Sequence, residues 1–232
     1  MVRLSFSPRD STRRIAEADS VAVIGLGRFG SALALELMDY GTEVLGIDSS
    51  EEIVQAHNGL LTQVVRADST KEEALRQLAV HEFDRVVVAI GSDIKASILT
   101  ASLLLRFEVP VVWAKALDDQ HGLILEQLGV GHVVYPETSM GKRVAHLVRG
   151  AAMDFIEIDR DYAIVKTSPN SVVIGRRLGD TGVRASYGIT VTSVRRENGA
   201  WANADADTIL QETDTILVAG PIRKAEEFAQ LR

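Results

Sequence analysis

The sequence predicts a doubly wound parallel α/β sheet followed by a smaller α+β lobe. Three observations carry this. First, short runs rich in Val and Ile recur at Ser20–Gly25, Glu43–Asp48, Leu61–Arg66, Arg85–Ile90, Val109–Ala114 and His132–Tyr135. Each is continuously apolar rather than alternating, as parallel strands covered on both faces are. Second, amphipathic stretches separate these runs, giving repeated β–α units. Third, the pattern changes after about residue 138, where strand-like runs follow one another closely.

The junction of the first strand and first helix reads Gly25-Leu26-Gly27-Arg28-Phe29-Gly30. Gly25 permits a tight turn, Gly27 leaves room for a pyrophosphate, and Gly30 lets the helix pack close to the strand. The first free amides of that helix then point at the anion. The second strand ends in Asp48, about 20 residues on, where a ribose-binding carboxylate belongs. Ser49 and Ser50 follow it, Asp68 and Ser69 end the third strand, and Ile90, Gly91 and Ser92 end the fourth beside the first. Ligands bind at such a switch point. Arg28 stands where the helix dipole disfavours a cation, and an anionic ligand would offset that cost. This makes residues 19–138 a Rossmann-like nucleotide-binding domain.

Among the helices, Ser31–Tyr40 is expected to turn Leu33, Leu37 and Tyr40 to one face. Asp93–Phe107 does the same with Ile94, Ile98, Ala101, Leu104 and Leu105, and Asp118–Leu128 with Leu123, Ile124, Gln127 and Leu128. Ser139–Ala152 reads as a linking helix over 139–153, ahead of a C-terminal domain over 154–232. That domain holds strand-like runs at Phe155–Ile158, Tyr162–Thr167, Ile189–Arg196 and Thr215–Ala219, a helical stretch Thr181–Ser186 and a terminal helix Ala225–Leu231. Asn198-Gly199 suggests a hairpin from Thr190–Arg195 to Ala200–Asn203.

The chain has 232 residues, 46% of them hydrophobic, enough for an ordinary core. Its net charge of −7 argues against generic nucleic-acid affinity. With no cysteine there are no disulfides, thiolate metal sites or cysteine nucleophiles. The apolar runs are far shorter than the roughly 20 residues of a membrane helix. Residues 1–18 carry Arg3, Arg9, Arg13 and Arg14 without an apolar core, and read as a flexible tail rather than a signal peptide. Residues 154–232 contain no His, and no triad, paired-carboxylate or metal-ligand spacing stands out anywhere. A dinucleotide fold followed by such a lobe reads as a ligand-sensing module rather than an enzyme. The alternative is a small NAD-dependent oxidoreductase or an NADH redox sensor, with Asp48 favouring NAD over NADP.

Gly25–Gly30, Glu43–Asp48, Ala67-Asp68-Ser69-Thr70, Val86–Gly91, Trp113-Ala114-Lys115-Ala116 and Tyr135–Gly141 together resemble the cytosolic regulatory subunits of bacterial potassium uptake systems, the KtrA/TrkA-type proteins built from RCK domains. Gly182–Gly188 and the strand after it look like that family's small C-terminal lobe. The resemblance implies a homo-oligomeric ring, an octamer, lying in the cytoplasm at the inner face of the membrane beneath an embedded potassium transporter. It implies ATP, ADP or NAD(H) in the N-terminal domain, with Arg28 on the phosphates and Lys115 and His121 close to the nucleotide. It further implies Mg²⁺ or Ca²⁺ at Glu137 beside the γ-phosphate, often across a subunit interface. In the lobe it implies cyclic di-AMP near Leu178, Arg184 and Tyr187. Gly179 and Gly182 depart from the bulkier residues usual there.

Overall fold

The computed structural model describes residues 20–149, 152–197 and 199–231. The expectation for residues 1–18 lies outside them, as does Asn198 of the expected hairpin turn. The chain divides into two compact units between Glu137 and Thr138.

In the first unit strands and helices alternate: β1 (Ser20–Ile24), α1 (Arg28–Asp39), β2 (Glu43–Asp48), α2 (Glu51–His57), β3 (Gln63–Arg66), α3 (Glu72–Gln77), β4 (Arg85–Val88), α4 (Ile94–Arg106), β5 (Val111–Lys115), α5 (Asp119–Leu128) and β6 (His132–Val134). The sheet runs β3-β2-β1-β4-β5-β6, parallel throughout. This is the doubly wound order, with its reversal between β1 and β4. Successive residues of one strand enter different cores. Ala22, Ile24, Ile47, Val86, Val88 and Ala114 pack with Leu104 and Leu125 on one face. Val21, Val23, Val44 and Val87 pack with Leu26 and Ala34 on the other. Two buried faces are why the strands read as unbroken apolar runs.

The helix faces depart from expectation in places. Tyr40 is 79% exposed, because α1 ends at Asp39 and Gly41 turns the chain with φ +83°. Ile94 is exposed in the first turn of α4. On α5 the buried residues are His121, Gly122 and Leu125, while Leu123, Ile124 and Leu128 face out. The cause is Gly122: a Cβ there would fall 1.8 Å from the Tyr135 hydroxyl. The missing side chain lets this stripe of α5 lie against Tyr135 and sets the helix phase.

α6 (Pro136–Val148) crosses the boundary at Thr138. It starts earlier than the sequence suggested because Pro136, with φ already set and no N–H to satisfy, suits a first helical position. The second unit holds β7 (Asp154–Asp159), β8 (Tyr162–Thr167), α7 (Leu178–Thr181), α8 (Val183–Tyr187), β9 (Thr190–Arg195), β10 (Trp201–Asn203), β11 (Thr215–Pro221) and α9 (Ile222–Gln230). Its antiparallel sheet runs β10-β9-β11-β8-β7. Phe155, Val165, Val191, Val194, Ile216, Val218 and Phe228 form its core. The expected helix Thr181–Ser186 is instead two short helices broken at Gly182, where φ is +63°.

Candidate functional site

A cleft of about 980 Å³ opens over the C-terminal ends of β1 to β5. Its floor is the glycine turn. Gly25 takes φ +93°, and an added Cβ would lie 3.0 Å from the backbone of Ala89 and Ile90. Gly30 sits so close beneath that its Cβ would be 1.9 Å from the Gly25 carbonyl oxygen. Gly27 faces open space, with nothing within 4 Å. The first helical bond of α1 runs from Ser31 N–H to the Gly27 carbonyl at 2.8 Å. The amides of Arg28, Phe29 and Gly30 therefore have no partner within the helix. Three donors, a positive helix end and an unobstructed approach make an anion cradle.

Asp48 sets the angle of this cradle. Its Oδ2 accepts from Leu26 N–H at 2.8 Å and its Oδ1 from Ser50 N–H at 2.9 Å. One carboxylate thus ties the glycine turn to the start of α2 and keeps lone pairs for a ribose hydroxyl. The other cleft acids are also engaged. Asp68 Oδ1 accepts from the Thr70 amide (3.0 Å) and hydroxyl (2.6 Å), and the hydroxyl bond holds its pKa below the usual carboxylate range. Asp93 Oδ1 caps α4 through Ala96 N–H at 2.9 Å. Ser69, buried, shares a 2.9 Å hydrogen bond with Thr100 of α4, pinning the loop after β3.

Lys115 and Glu137, far apart in sequence, meet here. Lys115 is 7% exposed, and its Nζ lies 2.5 Å from Glu137 Oε1 and 5.8 Å from the Phe29 ring centre. The hydrogen bond from Lys115, more than the nearby charge of Arg28, holds the Glu137 carboxyl below its usual range. Arg28, Lys71 and Lys95 line the cleft without an ion pair among the described residues. Lys71 and Lys95 escaped the sequence reading. Their signal was a lysine in the loop or first helical turn after a strand, past the ends of β3 at Arg66 and β4 at Val88, a placement shared with many surface lysines.

Gly25, Gly27, Arg28, Phe29, Asp48, Ser49, Ser50, Asp68, Ser69, Ile90, Gly91, Ser92, Lys115 and Glu137 all line this cleft. Gly30 lies under it, and His121 lines none of it. His121 is 1% exposed on the first turn of α5, where Asp118 Oδ1 accepts from its amide at 2.8 Å. Its Nδ1 accepts from Leu117 N–H at 3.2 Å, so the ring proton sits on Nε2, which is buried without a partner among the described residues. Burial pushes its pKa down, against the pull of Asp118.

Glu137 has no group of acids or histidines around it that could hold a metal ion among the described residues. One carboxylate paired with an ammonium does not suit a hard cation, which needs several oxygen donors. In the second unit Leu178 and Arg184 line a cavity of about 240 Å³, below the roughly 300–1,000 Å³ of ligand pockets. Tyr187 does not join them. Its ring packs edge-on against Phe228, centres 5.5 Å apart.

Residues 21–136 match the TrkA-N domain and residues 162–231 the TrkA-C domain. The chain is 35% identical to a Ktr system potassium uptake protein C of Bacillus subtilis over 89% of its own length and 94% of that protein's. It is 33% identical to protein A of the same system over the same shares, and 34% identical to a Ktr system potassium uptake protein A of Vibrio alginolyticus over 86% and 91%. The GsuK RCK domain superposes with TM-score 0.64 at 15% identity, over 92% of this chain and 47% of that one. A GsuK channel bound to NAD gives 0.63 at 15% identity, over 92% and 39%. No helix among the described residues is long and apolar enough to cross a membrane. With both domains in order and these relatives along most of its length, the chain belongs to the TrkA/Ktr family of potassium uptake proteins and has the RCK fold.

Proposed function

We propose that the first unit is a nucleotide-binding domain and that the chain is a regulatory rather than catalytic subunit, acting from the cytoplasm on a membrane-embedded potassium transporter. The observation that carries this is the anion cradle at Gly25–Gly30, set beside the ribose-ready Asp48 at the sheet's switch point. The Ktr relatives supply the potassium-uptake context. An adenine nucleotide, ATP, ADP or NAD(H), would lay its phosphates on the amides of Arg28, Phe29 and Gly30 and its ribose at Asp48. Arg28, exposed and without an ion pair among the described residues, is placed to close over the phosphates. A ligand regulates only by binding two assembled shapes unequally, so ATP and ADP should differ in affinity between them. In this reading the two shapes are those of a homo-oligomer, a ring of eight copies.

Calorimetric titration with ATP, ADP and NADH tests the reading. Arg28→Ala is expected to weaken phosphate-bearing ligands at least roughly tenfold, since a hydrogen bond to a charged group contributes about 1.5–3 kcal/mol. Unchanged affinity would remove Arg28 from the phosphate site.

Glu137 gives a second prediction. Its carboxylate occupies the Lys115 ammonium that a terminal phosphate would use. Glu137→Gln is therefore expected to raise ATP affinity in metal-free buffer about two- to fivefold, the worth of a partly exposed ion pair. If Mg²⁺ or Ca²⁺ is instead held at Glu137 by donors from the phosphate and a second copy, the same variant loses the metal-dependent part of the affinity. Cyclic di-AMP at Leu178 and Arg184 likewise needs a second lobe to complete the site, with Arg184 meeting a phosphate.

A further inference from the structure

Ser31 and His57 lie outside the cleft lining, 26 positions apart, yet their side chains meet, with Ser31 Oγ 2.6 Å from His57 Nε2. His57 is only 9% exposed, although Ala56 and Asn58 on either side are exposed. Its Nδ1 lies 2.7 Å from the Ile53 carbonyl. A carbonyl only accepts, so Nδ1 carries the ring proton. In the neutral ring Nε2 is then an acceptor, and the Ser31 hydroxyl donates to it.

The position of each partner gives the contact its meaning. Ser31 follows Gly30 directly, and its own amide makes the first helical bond of α1. His57 ends α2, and the first residues of α2 are tied to Asp48 through Ser50. The glycine turn is therefore held twice. Asp48 holds it in front through Leu26, and His57 holds the helix behind it through Ser31. Between these two points lie Arg28, Phe29 and Gly30, the three residues whose free amides form the anion cradle.

We infer that the Ser31–His57 hydrogen bond is a positioning clamp for the phosphate cradle, so that Ser31 and His57 set nucleotide affinity without touching the nucleotide. This rests on the nucleotide-binding reading above. The clamp acts on the direction of the α1 amides, so its loss falls on the phosphate part of a ligand and spares the adenosine part. A contact that only packed two helices together would lower stability and leave that selectivity alone.

The test is a titration series with adenosine, AMP, ADP and ATP on wild type, Ser31→Ala, Ser31→Thr and His57→Gln. Alanine suits a helix interior, so Ser31→Ala is expected to stay folded. Its expected signature is an unchanged adenosine affinity and an ADP and ATP affinity roughly five- to tenfold weaker, the scale of one intramolecular hydrogen bond. Ser31→Thr keeps the hydroxyl and is expected to restore wild-type values. His57→Gln keeps an acceptor and is expected to fall between. Equal affinities in wild type and Ser31→Ala across the series overturn the clamp while leaving nucleotide binding intact. A uniform loss for adenosine and ATP alike overturns it too. Absence of binding by wild type overturns the nucleotide reading itself, and the clamp with it.

Discussion

Replacing Gly30 by alanine is expected to abolish nucleotide binding and to destabilise the first unit by about 3 kcal/mol, the upper range for overpacking a filled core. The new methyl would lie 1.9 Å from the Gly25 carbonyl oxygen and 3.0 Å from the Ala89 Cβ. Neither neighbour can yield. Gly25 holds a left-handed φ of +93°, and even a Cβ added to it would lie 3.0 Å from the backbone of Ala89 and Ile90, so the turn has little room to shift. The helix must move instead, carrying its free amides away from β1. Helix propensity works the other way, since alanine is favoured over glycine by about 1 kcal/mol inside a helix. A net loss would therefore report the clash. Gly27→Ala is the control, because nothing lies within 4 Å of its Cβ. It should fold normally and lose affinity only through the phosphate approach. Urea unfolding and calorimetry on both variants check this, and a Gly30→Ala protein that binds nucleotide like wild type would overturn the site.

Phe228→Ala is expected to destabilise the second unit by about 3–5 kcal/mol, as loss of a buried phenyl ring does. Phe228 is fully buried, meets Tyr187 edge-on and joins Ala225 as the buried residues of α9. Its carbonyl accepts from the buried Asn170 side-chain amide at 2.9 Å, so the ring and its backbone pin one loop and one helix together. The two tryptophans give separate reporters. Trp113 stands on β5 stacked on His132, and Trp201 on β10 beneath Arg195. With single-tryptophan proteins, the Trp201 transition should move to lower denaturant while the Trp113 transition stays. Equal shifts of both would mean that the units unfold as one cooperative body.

What was legible in the sequence was local. The glycine turn, the acid at the end of β2 and the unbroken strand runs each depend on a few consecutive residues, and so they sit where the pattern put them. Contacts across the chain were not legible. The phase of α5 turns on Gly122 meeting Tyr135, which no helical periodicity reports. Four apolar residues at 123, 124, 125 and 128 allow more than one inward face, and only Leu125 is buried. His121 falls outside the cleft for the same reason, since the buried stripe of α5 draws it under the helix start. Tyr187 is aromatic and near a glycine-rich turn, but its ring is claimed by Phe228, 41 positions on. Nothing local in the sequence marks the partner of His57, whose ring at the end of α2 reaches Ser31 of α1.

Asp48 carries a consequence for engineering ribose preference. A redesign that exchanged this carboxylate for a neutral or basic side chain, to admit a 2′-phosphate, would change the proposed ribose contact and the backbone support of the turn in one stroke. The two effects cannot be decoupled at that position, since both oxygens already hold main-chain amides. Ser49, exposed at the same strand end and lining the same cleft, offers the independent handle. A basic residue there could meet an added phosphate while the scaffold beneath it stays as it is.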